Sequence, residues 1–206
     1  MQTDEFECGI QVLSEYGRRG HGMRLPEPPR LLCRACSIQL LAQLDALVGL
    51  ATIAHEHGLM LHVDAVQAAG KIMTDSRALG ADTLAVSAHK LGGPQGVGAL
   101  TFGPRATMVR TQHGGGQERG RRAGTENVAG VAAFAAAARA ALSEPQIDPE
   151  PRDAVAERLK AAGAVVIAEG APRLTNTLCV STPGWSSDLQ VMALDLAGFM
   201  VSAGSA

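Results

Sequence analysis

Asp64, Gln67, Ser87, His89 and Lys90 are residues whose types and spacing could do chemistry together. They fall at the carboxyl ends of two short apolar runs, Leu59-Met60-Leu61-His62-Val63 and Thr83-Leu84-Ala85-Val86-Ser87, which read as strands. In open α/β sheets ligands bind at those ends. A lysine held against a sheet edge can have its proton affinity lowered enough to attack a carbonyl and form a Schiff base. Lys90 follows the second run through Ser-Ala-His and is the candidate for that role; for a single lysine the plain alternative is a solvated surface charge.

Other groups with chemical potential carry less. Cys33-x-x-Cys36 with His55 and His57 invites a zinc reading, but the two histidines have one residue between them instead of three to five and lie inside a predicted helix. No metal site is expected. Arg119, Arg121 and Arg122 resemble an arginine-glycine run for nucleic acid, yet no aromatic residues interleave with them. Cys179, inside the strand-like Thr177 to Ser181, reads as a small buried hydrophobe.

The elements that must position the five residues follow from periodicity and punctuation. From Ser37, an N-cap, Leu40, Leu44, Leu47, Val48 and Ala51 recur at helical spacing until Gly58, predicting a helix over 38–57 that leads into the first strand. A third strand, Val97 to Phe102, follows the turn Gly92-Gly93-Pro94 too closely for a parallel crossover, so an antiparallel neighbour is expected. Gly114 to Gly124 is a glycine- and arginine-rich loop, after which Asn127 caps an Ala-rich helix to about Leu142. Pro145, Pro149 and Pro151 punctuate a linker. Beyond it, Arg152 to Ala162 reads as a helix, Ala164 to Ala168 and Thr177 to Ser181 as strands, and Asp188 as the cap of a helix running to Gly198. Residues 1–37, with Pro26, Pro28 and Pro29, show no sustained period and read as irregular.

Composition sets the class. Of 206 residues 46% are hydrophobic, enough for a core, and 24 Gly with 10 Pro against six Phe, Tyr and Trp suit an α/β protein better than an aromatic-rich sandwich. A formal charge of −2 offers no chain-wide attraction to nucleic acid or an anionic membrane. Four cysteines make no secreted disulfide framework, and neither a signal peptide nor a membrane span is legible, so a cytoplasmic protein is expected.

Three long motifs narrow the reading: His62-Val63-Asp64-Ala65-Val66-Gln67-Ala68-Ala69-Gly70-Lys71, Ser87-Ala88-His89-Lys90-Leu91-Gly92-Gly93-Pro94-Gln95-Gly96-Val97-Gly98, and Gly114-Gly115-Gly116-Gln117-Glu118-Arg119-Gly120-Arg121-Arg122-Ala123-Gly124-Thr125-Glu126-Asn127. In this order and spacing the chain resembles the cysteine desulfurases, pyridoxal 5'-phosphate enzymes of the class V aminotransferase group. The resemblance implies the fold type I of pyridoxal-phosphate-dependent transferases, with 38–143 a partial cofactor-binding large domain on a mostly parallel sheet and 144–206 part of a smaller α/β domain. It makes Lys90 the lysine that holds the cofactor as a Schiff base and moves the substrate proton. Asp64 becomes the partner of the pyridine nitrogen and Gln67 a neighbour of the phenolic oxygen. Ser87 and His89 become phosphate contacts, and Thr125 a contact to the phosphate of the other subunit in a homodimer. A carboxylate at Asp64 would keep the ring nitrogen protonated and the cofactor an electron sink. L-cysteine is the implied substrate, and a sulfur acceptor or scaffold protein for iron–sulfur cluster assembly or thiolation the implied partner.

The family's nucleophilic cysteine follows a segment like Val201-Ser202-Ala203-Gly204-Ser205-Ala206, which here is the last of the sequence, and its amino-terminal cofactor contacts are not recognisable in residues 1–50. The chain is therefore expected to be truncated at both ends relative to the family. The alternatives are a non-catalytic remnant and another class V lyase or aminotransferase.

Overall fold

The structure, a computed structural model, describes residues 11–12, 31–35, 43–143, 147–171 and 173–203. Packing divides the chain into two compact units, one built mainly on Leu44–Leu142 and one on the residues from Ser143 onward.

Helix α1, Gln43–Glu56, buries Leu47, Ala51 and Ala54. Their i, i+4, i+7 spacing gives one apolar stripe, as a helix covering a sheet requires. The chain then turns through Gly58 into β3, Met60–Asp64, whose Leu61 and Val63 are buried while His62 and Asp64 are half-buried. Alternation along the strand therefore separates a core face from a polar face. β4, Thr83–Ser87, lies parallel to β3, and β5, Gly98–Phe102, runs antiparallel to β4, as the short connection requires.

Two further strands extend the sheet: β1, Gln11–Val12, and β2, Leu31–Ala35, give the order β1-β2-β3-β4-β5. The irregular reading of 1–37 thus fails at Leu31–Ala35, which runs parallel to β3 over five register pairs from Leu31↔Met60 to Ala35↔Asp64. Those bonds are non-local, and a five-residue run behind three prolines carries no period of its own to reveal them. The sheet is α/β but mixed: two pairings are parallel and two antiparallel, which corrects the expectation of a mostly parallel sheet.

After β5 come a short helical turn, α2, Gln117–Gly120, and helix α3, Val128–Ser143. The Asn127 side chain caps α3 by accepting from Gly130 N–H at 3.0 Å.

In the second unit α4 spans Glu150–Ala161, so Pro149 and Pro151 belong to its start and not to a linker. Proline is tolerated in a first turn, where its missing N–H has no helical acceptor. β6, Val165–Val166, pairs antiparallel with β7, Val180–Ser181, both shorter than their apolar runs suggest. Helix α5, Ser187–Leu196, has Ser186 at its N-cap position and Asp188 within its first turn, where its charge favours the helix's positive end. Among the described residues, no helix is long and apolar enough to cross a membrane.

Candidate cofactor site at the carboxyl ends of β3 and β4

The register of β3 and β4 stacks the polar residues in rows. His62 pairs with Thr83 and Asp64 with Ala85, so alternation places His62, Thr83, Asp64, Ala85 and Ser87 on one face of the sheet. His62 Nδ1 lies 2.8 Å from Thr83 Oγ1 in the lowest row. Burial pushes the His62 imidazole below its usual pKa, against a smaller upward pull from the Asp64 charge. One row higher, Asp64 Oδ1 accepts from Val66 N–H at 3.0 Å, which starts the turn that carries Gln67, half-buried. Opposite Asp64, the short side chain of Ala85 leaves the face open.

β4 continues two residues past this row to Ser87 and then tightens into a 3₁₀ turn, Ala88–Lys90. Ser87 Oγ and His89 Nδ1 are 2.8 Å apart, leaving the imidazole's other nitrogen outward. The turn is closed by Leu91 N–H at 3.1 Å and Gly93 N–H at 2.8 Å, both donated to Ala88 O. A Cβ on Gly93 would come within 2.9 Å of the Ala88 Cβ, so only glycine closes it without displacing the segment that carries Lys90. Ala88 is buried while His89 and Lys90 are exposed, which anchors the turn and presents both side chains.

Asp64, Gln67, Ser87, His89 and Lys90 are thus carried by neighbouring segments at one end of the sheet. Thr125 is exposed in the loop before α3, and among the described residues it hydrogen-bonds none of them. That loop is held by arginines: Arg110 donates to Gln112 O and Gly114 O at 2.7 Å, and Arg122 donates to Gly124 O at 2.7 Å. Arg121 lies over the Phe102 ring, 5.2 Å from its centroid. Cys179 is a free, half-exposed thiol just ahead of β7, not the buried hydrophobe its strand-like run suggests, because the two-residue strands of that sheet give it little cover.

Lys71, on the turn after β3, is a residue to which the motif assigns no role. Burial first, and then the charge of Lys90, push its pKa below the usual lysine value. The sequence signal was available in the turn residue Gly70 before it, which permits the tight return of the chain toward the 3₁₀ turn.

The donor set fits pyridoxal phosphate. An exposed amine suits an aldehyde, a carboxylate suits a ring nitrogen, and a hydroxyl–imidazole pair suits a phosphate. The open floor at Ala85 would be filled by a larger side chain.

The aminotransferase class-V family model matches residues 40–206. A cysteine desulfurase of Cereibacter sphaeroides is 40% identical over 164 residues, which is 77% of this chain and 42% of that protein. One of Enterobacter agglomerans is 39% identical over 162 residues, covering 76% and 40%. Among solved structures, a NifS-like protein from Rickettsia africae ESF-5 superposes with a TM-score of 0.77 at 26% identity, over 86% of this chain and 51% of that one. The chain spans about two fifths of the length of the curated relatives it matches.

Proposed function

The chain belongs to the aminotransferase class-V family, and from that membership we propose that it carries the pyridoxal-phosphate centre of a cysteine desulfurase. The observation that carries the reading is the placement of Lys90 on the turn directly after β4, beside the strand that ends in Asp64.

When bound, the cofactor supplies an electron sink for negative charge developing at the α-carbon of L-cysteine. Lys90 Nζ holds the aldehyde end and then moves the α-proton as a general base. The Asp64 carboxylate, oriented by Val66 N–H, keeps a proton on the ring nitrogen. Gln67 donates toward the phenolic oxygen. Ser87 and His89, already paired at 2.8 Å, take the phosphate. Thr125, exposed ahead of α3, serves the phosphate of a second copy in a homodimer. The sulfur leaves as a persulfide on a thiolate, L-alanine is released, and a sulfur acceptor or scaffold protein takes the sulfur in the cytoplasm for cluster assembly or thiolation. Cys179 is not assigned as that thiolate.

Purified protein titrated with pyridoxal phosphate should develop a visible absorbance band that Lys90→Ala abolishes, and with L-cysteine and an added small-molecule thiol to take the sulfur it should form L-alanine. A band retained in Lys90→Ala would overturn the site. A Lys90-dependent band without alanine would replace the desulfurase reading by another class V lyase or aminotransferase reaction.

A further inference from the structure

Arg110 lies in the irregular chain between β5 and α2. Its guanidinium clamps three backbone carbonyls: Nε donates to Gln112 O at 2.7 Å, and Nη2 donates to Gly114 O at 2.7 Å and to Gly115 O. The clamp does not stop at Gly115. A Cβ placed on Gly114 would lie 3.1 Å from the Ala123 Cβ, so the two arms of the loop touch there. From Ala123 the link passes to Arg122, whose Nη1 donates to Ala123 O at 3.2 Å and to Gly124 O at 2.7 Å, and whose Nη2 pairs with Glu118 at 3.3 Å. Thr125 is the next residue, and it is exposed.

This segment needs holding. Glu118 and Arg119 have φ 50° and 58°, in the left-handed region that residues other than glycine adopt at a cost, and Gly114, Gly115 and Gly116 restrict the chain least. Residues 111–116 are all exposed, so no core burial fixes them. A planar guanidinium fork takes several carbonyls at preset angles, whereas a lysine ammonium would be a point charge on a flexible stem. A clamp on an exposed loop covers no core, so its consequence is the shape of the loop and not the stability of the sheet. We propose that Arg110 is a positioning residue, which presets the loop 112–125 in the shape that meets a second copy of this chain and delivers Thr125 to it. The inference rests on the proposed function for what Thr125 does in that second copy; the residue that shapes the loop is read from the structure.

The test uses the whole chain. Arg110→Lys keeps the positive charge and loses the fork. Without cofactor, it should speed hydrogen exchange of the 112–125 amides and weaken self-association, followed by sedimentation, by about ten-fold each, with little change in the urea midpoint. With pyridoxal phosphate, the Lys90-dependent band should need about ten-fold more cofactor. Because the loop acts on the other copy, this defect should be repaired in trans. An excess of Lys90→Ala, which has an intact loop and no band of its own, should return the band of Arg110→Lys to wild-type affinity. A chain carrying both Lys90→Ala and Arg110→Lys should not. A wild-type chain that stays monomeric, loop exchange in Arg110→Lys equal to wild type, or a binding defect that the intact-loop copy does not repair would overturn the proposal. If wild type gives no Lys90-dependent band while Arg110→Lys still loosens the loop and the self-association, the proposed function falls and the Arg110 clamp stands. If the band depends on Lys90 and Arg110→Lys changes neither exchange nor affinity, the proposed function stands and this inference falls.

Discussion

Just before β4, the buried Asp82 carboxylate accepts from Leu61 N–H at 2.8 Å and from His55 Nε2 at 2.9 Å, with Arg105 Nε at 3.2 Å. Just after β4, Lys90 is exposed and Lys71 half-buried, with no carboxylate paired to either among the described residues. One strand of five residues thus separates a saturated charge from uncompensated ones. At the amino end, a single carboxylate ties the tail of α1, the start of β3 and the chain leaving β5. At the carboxyl end, charge is left available. The contrast separates a region whose charge is tied into the fold from one whose charge is not, and of the two electrostatic stabilisation belongs to the first.

Asp82→Ala should be the most damaging change, because it strands a buried N–H on Leu61 and removes the hydrogen-bond partner of His55 and the counter-charge of Arg105. A loss of about 3 kcal/mol is expected in urea unfolding. If the loss were within about 0.5 kcal/mol, the amino end would be no more than a surface ion pair. Gly70→Ala should cost about 1–2 kcal/mol, because φ +78° is strained for alanine and the new methyl meets Leu91 and Ala141.

His62 lies one row below the ligand end and gives a smaller effect. Its pKa is lowered in the folded protein, so as pH falls the unfolded chain takes up the proton first. Stability should be full above about pH 6.5 and decline below it until folded His62 itself protonates. His62→Gln should flatten that part of the stability-against-pH curve, measured by urea unfolding across pH 5 to 8. A slope unchanged in the variant would mean that another group titrates there.

The placement of Asp64, Ser87, His89 and Lys90 at the carboxyl ends of β3 and β4 was legible in the sequence because these residues are local. Asp64 closes one apolar run, Ser87 closes the next, and His89 and Lys90 follow within three residues. The antiparallel β5 was legible too, because Gly92-Gly93-Pro94 leaves too little chain for a crossover. What was hidden depends on distant pairing. Leu31–Ala35 is a strand through its register with Met60–Asp64, and the Asp82 cluster joins residues 55, 61, 82 and 105, none of which marks another in sequence. Lys71 and Lys90 likewise meet only through Gly70 and Leu91. Pro149 and Pro151 misled for a different reason, since a proline marks a helix start as readily as a linker.

The most direct test of the contrast is the urea midpoint of Lys71→Met, without phosphate or cofactor, beside wild type and Asp82→Ala. The Lys71 pKa is depressed in the folded state by burial first and then by the Lys90 charge, so its charged form opposes folding. Removing it should raise the midpoint slightly, equivalent to about 0.5 kcal/mol after solvent screening, while Asp82→Ala lowers it. A lower midpoint in both variants would contradict the contrast, and would make Lys71 part of the fold and not of a ligand site.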